Sequence, residues 1–145
     1  MRRHRTRFIY QTIAKELKAA QDNCKQVETL TSRFDNFDNS DAYAVAGMIH
    51  EMRINEGAKR VGRKIGFTNP EMWSVYGVCE PIWSYVYDRT TLRLSGQHGK
   101  CNIGKFVEPK LEPEIVLHFC STPKIGGKQE EILRCVDWIA HGIEI

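Results

Sequence analysis

The chain has 145 residues, 41% of them hydrophobic and 27% charged, with a formal net charge of +3. That is the length and composition of one ordinary globular domain, and it argues against a disordered or membrane-spanning chain. Arg2, Arg3, Arg5 and Arg7 concentrate the positive excess at the start, which reads as a solvated, frayed terminus; no basic face of the kind that binds nucleic acid is expected.

No apolar run behind Met1–Arg7 is long enough for a secretory signal, and no stretch reaches the length of a transmembrane helix. The five cysteines, Cys24, Cys79, Cys101, Cys120 and Cys135, are scattered, odd in number and lack a C-x-x-C pair. Reduced thiols in a cytoplasmic protein are therefore expected. His98 and Cys101 form an H-x-x-C in SGQHGKCNIG, but no second ligand pair sits at zinc-finger spacing, and the segment reads as a turn between strands.

In TRFIYQTIAKELKAAQDN, Ile9, Ile13, Leu17 and Ala20 recur at helical spacing, which predicts an amphipathic helix. After the polar loop RFDNFDNSD, a second helix is expected. Ser40 is its expected cap, Ala42, Val45, Ile49 and Met52 share one side, and Gly57 is the stop. His50 lies beside that stripe and is expected to be a surface or half-buried residue. The period then changes to two: RVGRKIGFT sets Val61, Arg63, Ile65 and Phe67 against Gly62, Lys64, Gly66 and Thr68, a strand pattern. Further strands are expected at Trp83–Tyr87, Leu92–Leu94, Ile103–Val107 and Leu111–Phe119, with a turn at Gly126–Gly127. KQEEILRCVDWIAHG places Ile132, Cys135, Val136 and Ile139 at helical spacing with acidic residues first and Gly142 last, which predicts a helix; a new strand is expected to begin at the final IEI.

Two constellations carry chemistry. Lys64 has Gly62 and Gly66 as its neighbours on one strand face, and glycines inside a strand often mark close approach by a ligand. The lysine is either a surface residue of a loosened edge strand or a group that binds an anion or moves a proton. GAKRVGRK is not a phosphate-binding loop, because Arg63 and Lys64 stand where Lys and Ser/Thr are required and a strand follows. In KLEPEIVLHF, alternation puts Leu111, Ile115, Leu117 and Phe119 on a core face and Glu112, Glu114, Val116 and His118 on the other. Two carboxylates on one face fit either a wet edge strand or a hard divalent cation held with the terminal Glu144. His118 reads as a polar residue on the wet side.

The segments DAYAV, GRKIGFTN, LEPEIVLHF and AHGIEI, in this order and spacing, resemble the 2-keto-4-pentenoate hydratase and 2-oxo-hexenedioate decarboxylase branch of the fumarylacetoacetate hydrolase superfamily. The resemblance runs from about residue 10 to the end. It implies an α+β fold: an N-terminal helical segment, residues 1–57, then residues 58–145 as the first half of a mixed β-roll with its crossing helix, one continuous domain whose C-terminal part is missing. It implies that Glu112, Glu114 and Glu144 hold Mg2+ or Mn2+ and that Lys64 is the catalytic acid/base. The implied function is hydration of a 2-hydroxypenta-2,4-dienoate-type acid to a 4-hydroxy-2-oxo acid in aromatic catabolism. Decarboxylation of a 2-oxo-hexenedioate on the same scaffold is the alternative, and a non-catalytic remnant or interaction subunit is the alternative of another class. The expected partners are the small 2-oxo or 2-hydroxydienoic acid, further copies of a full-length form, and a paralogous hydratase or decarboxylase, without nucleic acid or membrane. Family members continue past the third carboxylate, so the chain is expected to be a fragment or truncated gene product, inactive alone, or one that a partner completes.

Overall fold

A computed structural model describes residues 2–96 and 98–145, with residues 2–6 described by their backbone alone. The chain divides into two compact units, residues 1–100 and 101–145. The first opens with helix α1, Arg2–Asp22, which is helical from Arg2 rather than frayed; the side chains of Arg2, Arg3 and Arg5 lie outside the described residues. A short helix α2, Leu30–Arg33, precedes α3, Asn39–Asn55. Ile13, Ala14 and Val45 are fully buried where α1 and α3 meet, with Tyr10, Leu17, Phe34, Met48 and Met52 packed around them. Burying an Ile or Val side chain contributes about 1.5–3 kcal/mol, so these few residues are the anchor of the helical segment. The buried stripe turns one step from the predicted one: Ile9 is exposed, and Tyr10 and Ala14 take its place.

Charges bind the helical segment at its rim. Arg33 grips Glu16 through two hydrogen bonds of 2.6 and 2.8 Å. Lys18 bridges Asp22 and Glu56 at 2.7 and 2.5 Å, and Arg53 meets Asp22 at 2.5 Å. The cap of α3 is Asp38, not Ser40. Asp38 accepts from the Asp41 amide while the Asp41 carboxylate accepts from the Asp38 amide, a reciprocal box that satisfies two orphan donors at once. The Tyr10 hydroxyl also donates to Asp41.

Two strands complete this unit. β1, Arg60–Gly66, pairs antiparallel with β2, Ile82–Tyr87, and the register sets Lys64 opposite Ser84 and Arg63 opposite Tyr85. β1 ends where Phe67 takes a left-handed φ of 54°. A short helix α4, Trp73–Tyr76, lies between the strands. The odd-numbered face of β2 is covered by α3: Tyr43 stacks on Trp83 at 5.5 Å and His50 on Tyr85 at 3.8 Å, while His50 Nδ1 lies 2.9 Å from the Tyr87 hydroxyl. His50 is thus half-buried and engaged with aromatic rings, as its position beside the stripe implied. Arg63 shares this face, its guanidinium 4.5 Å over the Trp83 ring. Alternation leaves Lys64 on the opposite face.

The second unit is built on β3, Glu112–Phe119, and β4, Val136–Glu144, paired antiparallel, with a five-residue helix α5, Gln129–Leu133, in their connection. The predicted long helix over residues 128–142 is therefore wrong beyond Leu133. Val136–Glu144 has no clean alternation, and its pairing with β3 satisfies the backbone in a way the helical spacing of Ile132, Val136 and Ile139 alone does not reveal. The IEI segment is the end of that strand, with its partner in this chain. Leu92–Leu94 and Ile103–Val107 are not strands either: the first is irregular, and Ile103–Lys105 is a single 3-10 turn capped by the Asn102 side chain. The supposed core face of β3 is open, with Ile115 71% and Leu117 43% exposed.

Fold class is thus as expected, α+β with a helical N-terminal segment, although its strands here form two separate two-stranded sheets.

Candidate metal centre

The register of β3 and β4 builds the site. Glu112 stands directly opposite Glu144, and Glu114 opposite Gly142. Alternation gives all four positions the same face of the hairpin, so residues thirty positions apart in sequence become neighbours across one ladder. Carboxylate oxygens of Glu112, Glu114 and Glu144 lie within 4.8 Å of one another, Glu114 half-buried and the other two exposed. Like charges directly opposed on a sheet destabilise it. The fold nevertheless places three of them together.

The donor set fits a hard divalent cation. Opposite ligands of one ion are at most twice the bond length apart, about 4.2 Å for magnesium and about 5.2 Å for calcium, so oxygens spread over as much as 4.8 Å span calcium as they stand and close on magnesium after a small side-chain shift. Carboxylates with no thiolate or imidazole among them favour magnesium, manganese or calcium over softer metals. Among the described residues, no other three His, Cys, Asp or Glu side chains converge in this way, and His98 with Cys101 forms no such group.

Gly142 belongs to this site, although its sequence context reads as a helix stop. A Cβ there would sit 2.9 Å from Val116 Cγ2 and 3.6 Å from Glu114 Cβ. The missing side chain is what lets β4 run beside Glu114 without displacing it. Its sequence signal is a glycine two residues before a glutamate, visible only once the strand is recognised.

His118 shares the face of Glu112 and Glu114 further along β3. Its Nδ1 lies 2.5 Å from Asp137 Oδ1, and its ring stacks on Trp138 at 4.6 Å. A register shift between His118 and Phe119 leaves Asp137 as the extra residue of β4, which turns that carboxylate toward the imidazole. The hydrogen bond from His118 holds the Asp137 carboxyl below the usual carboxylate range.

Lys64 lies in the other compact unit, half-buried on β1. The structure brings together the three glutamates, and it shows the surroundings of Lys64 by themselves. A Cβ on Gly62 would meet nothing within 4 Å, whereas one on Gly66 would touch Ile82 Cγ1 at 3.4 Å. The space expected on both sides of the ammonium is therefore open on the Gly62 side and lined by Ile82 on the other.

No family model matches the chain. It is 29% identical over 135 residues to 2-keto-4-pentenoate hydratase of Paraburkholderia xenovorans (strain LB400), a match covering 91% of this chain and 48% of the relative. It is 23% identical over 135 residues to 4-oxalocrotonate decarboxylase of Pseudomonas putida, covering 92% of this chain and 50% of that one. Its fold superposes with a TM-score of 0.87, at 24% identity, on 4-oxalocrotonate decarboxylase from Pseudomonas putida G7 complexed with magnesium and adipate, over 95% of this chain and 52% of that chain. The chain spans about half the length of the relatives it matches. Its relatives include 2-keto-4-pentenoate hydratases and 4-oxalocrotonate decarboxylases, and its fold matches about half of a 4-oxalocrotonate decarboxylase chain.

Proposed function

We propose that the protein is a metal-dependent hydro-lyase, or the part of one that holds its metal, adding water to 2-hydroxypenta-2,4-dienoate-type acids to give 4-hydroxy-2-oxo acids in aromatic catabolism. The observation that supports this most is the convergence of Glu112, Glu114 and Glu144 within 4.8 Å in a chain whose relatives include 2-keto-4-pentenoate hydratases. Those three carboxylates would hold the cation, Mg2+ or Mn2+. When bound, such an ion supplies Lewis-acid polarisation of an oxygen-rich substrate.

The chain's own residues do the rest. Lys64 is the proton carrier: its Nζ holds the proton in passage between the 2-hydroxyl oxygen of the dienol and its terminal carbon C5, turning the dienol into a conjugated 2-oxo acid. Water then adds at C4, and the product is the substrate plus one water. Gly62 leaves room beside the ammonium. The protein is proposed to act in the cytoplasm on this small acid, in a homo-oligomer or in a complex with a paralogue. No helix among the described residues is long and apolar enough to cross a membrane.

The likeness to 4-oxalocrotonate decarboxylase favours a second reading, loss of carbon dioxide from a 2-oxo-hexenedioate at the same three carboxylates. Titration calorimetry with magnesium and with manganese tests what the two readings share. The wild-type chain should bind, and Glu112→Gln/Glu114→Gln should lose about a hundredfold or more in affinity, beyond the 10–100-fold typical of supporting residues. Equal affinity in both sinks the metal assignment. Incubating a form that turns over with each acid then separates the readings, a 4-hydroxy-2-oxo product marking the hydratase and released carbon dioxide the decarboxylase.

A further inference from the structure

Two cysteines flank the end of the β3–β4 hairpin opposite the glutamates. Cys120 follows directly on β3 and Cys135 directly precedes β4. The Cys120 amide donates to the Cys135 carbonyl at 2.9 Å. That bond carries the pairing one step past Phe119 and Val136, while the Cys135 amide turns to the Ile132 carbonyl; cross-strand neighbours have Cα atoms about 4.5–5.5 Å apart, inside the window of about 4.4–6.8 Å that a disulfide spans.

Cys120 already reaches across, and Cys135 must turn. Cys120 Sγ donates to the Cys135 carbonyl oxygen at 3.3 Å, so it already reaches the residue it would bond. Cys135 Sγ donates to the Glu131 carbonyl at 3.4 Å, a weak hydrogen bond that a single χ1 rotation gives up as the sulfur swings toward Cys120. Cys120 is exposed and Cys135 half-buried. A small oxidant therefore meets the first thiol in the open while the second waits beside it, the arrangement of an attacking and a resolving cysteine.

We propose that Cys120 and Cys135 form a redox modification site, closed by peroxide into a cross-strand disulfide on the same hairpin that carries Glu112, Glu114 and Glu144. The Cys120 thiolate attacks one peroxide oxygen and the O–O bond breaks, leaving a sulfenic acid and, after protonation, one water. The Cys135 sulfur then attacks the Cys120 sulfur, the S–O bond breaks, and the departing hydroxide takes up the Cys135 proton as a second water. Two thiols are oxidised by two electrons and hydrogen peroxide is reduced to two waters. The new bond closes the loop of residues 121–134, which removes freedom from the unfolded chain and stabilises the hairpin.

The test uses the whole chain treated with hydrogen peroxide, alkylated and digested with trypsin, which releases residues 111–124 and 135–145 as separate peptides. The expected result is the two peptides joined, at the summed mass less two hydrogens, with the joined species lost on reduction by dithiothreitol and the thermal midpoint of the oxidised chain raised by several degrees. In Cys135→Ser, the sulfenic acid on Cys120 should persist and be trapped by dimedone. Recovery of both peptides separately with each cysteine alkylated overturns the proposal. So does a bond from Cys120 to Cys79 or Cys101, or joined peptides found only in a covalent dimer.

Discussion

The molecule contains two antiparallel hairpins that place their functional candidates by different means. β1–β2 is clothed on one face by α3, where Trp83, Tyr85 and Tyr87 meet Tyr43 and His50, and it presents Lys64 on the other. β3–β4 has no buried residue; Ile115, Ile139 and Ile143 are 71%, 64% and 59% exposed. The first hairpin is fixed by side-chain contact with a helix. The second is fixed by its backbone ladder, which alone sets Glu112 against Glu144. A single lysine tolerates some slack in its strand, whereas three carboxylates proposed to share one ion require a pairing frame.

The largest effect that sharpens this contrast is on turnover. In a form that turns substrate over, Lys64→Met should lower the catalytic rate by about 10²–10⁴ while leaving fold and metal affinity intact, because the aromatic face that holds the hairpin is untouched. Lys64→Arg should not rescue it, since arginine cannot give up its proton near neutral pH. Steady-state rates with near-normal turnover in Lys64→Arg would reduce the lysine to a charge that anchors the substrate.

Stability gives the next effect. Tyr85 stacks on His50, packs edge-on against Trp83 and carries Arg60 and Arg63 near its ring. Tyr85→Ala should cost about 2–4 kcal/mol in urea unfolding, whereas Ile139→Ala on the bare hairpin should cost less than about 1 kcal/mol. Comparable losses would break the contrast. Glycines offer a smaller and more local comparison. Gly62→Ala meets open space and should stay within about 1 kcal/mol of wild type, while Gly142→Ala forces a Cβ to 2.9 Å from Val116 and should cost about 1–3 kcal/mol. The latter should also weaken magnesium binding about tenfold through Glu114, with Val116→Ala restoring part of both losses.

Acid has the mildest effect, and in the helical segment beneath the clothed hairpin it acts through three carboxylates. Arg33 holds Glu16, Lys18 holds Asp22, and the Tyr10 hydroxyl holds Asp41 below the usual carboxylate range. Carboxyl groups lowered in the folded state contribute stability that is present above their unfolded values of about 4 and lost as pH falls through the lowered ones. Helical circular dichroism should therefore unfold more readily in denaturant below about pH 4. Glu16→Gln/Asp22→Asn/Asp41→Asn should flatten that dependence.

Much of the first unit was legible in the sequence because its signals are local. Helical spacing around Ile13 and Val45, and alternation around Lys64, each lie within a single element. The second unit was half legible. Alternation in LEPEIVLHF gave β3 and the shared face of two glutamates, but VDWIAHGIE does not alternate and continues the helical spacing from Ile132, so that only its partner strand marks it as a strand. The misread strand hid Gly142 and the Asp137 bulge. Glu144 was grouped with the two strand glutamates because three carboxylates suit a hard cation, and the resemblance then implied it as the third ligand, although nothing local to IEI marks one. Ser40 was named over Asp38 because the reciprocal box needs the carboxylate of Asp41 as well as that of Asp38.

The pairing of Glu112 with Glu144 also determines where the chain can change length. Residues added or removed within the connection 121–134 leave the ladder in register, so that segment is free to vary. One residue lost between Val136 and Gly142 is different: if the loop end of the hairpin holds its pairing, every later side chain crosses to the opposite face. The centre would then be gone with all three of its glutamates still in the chain.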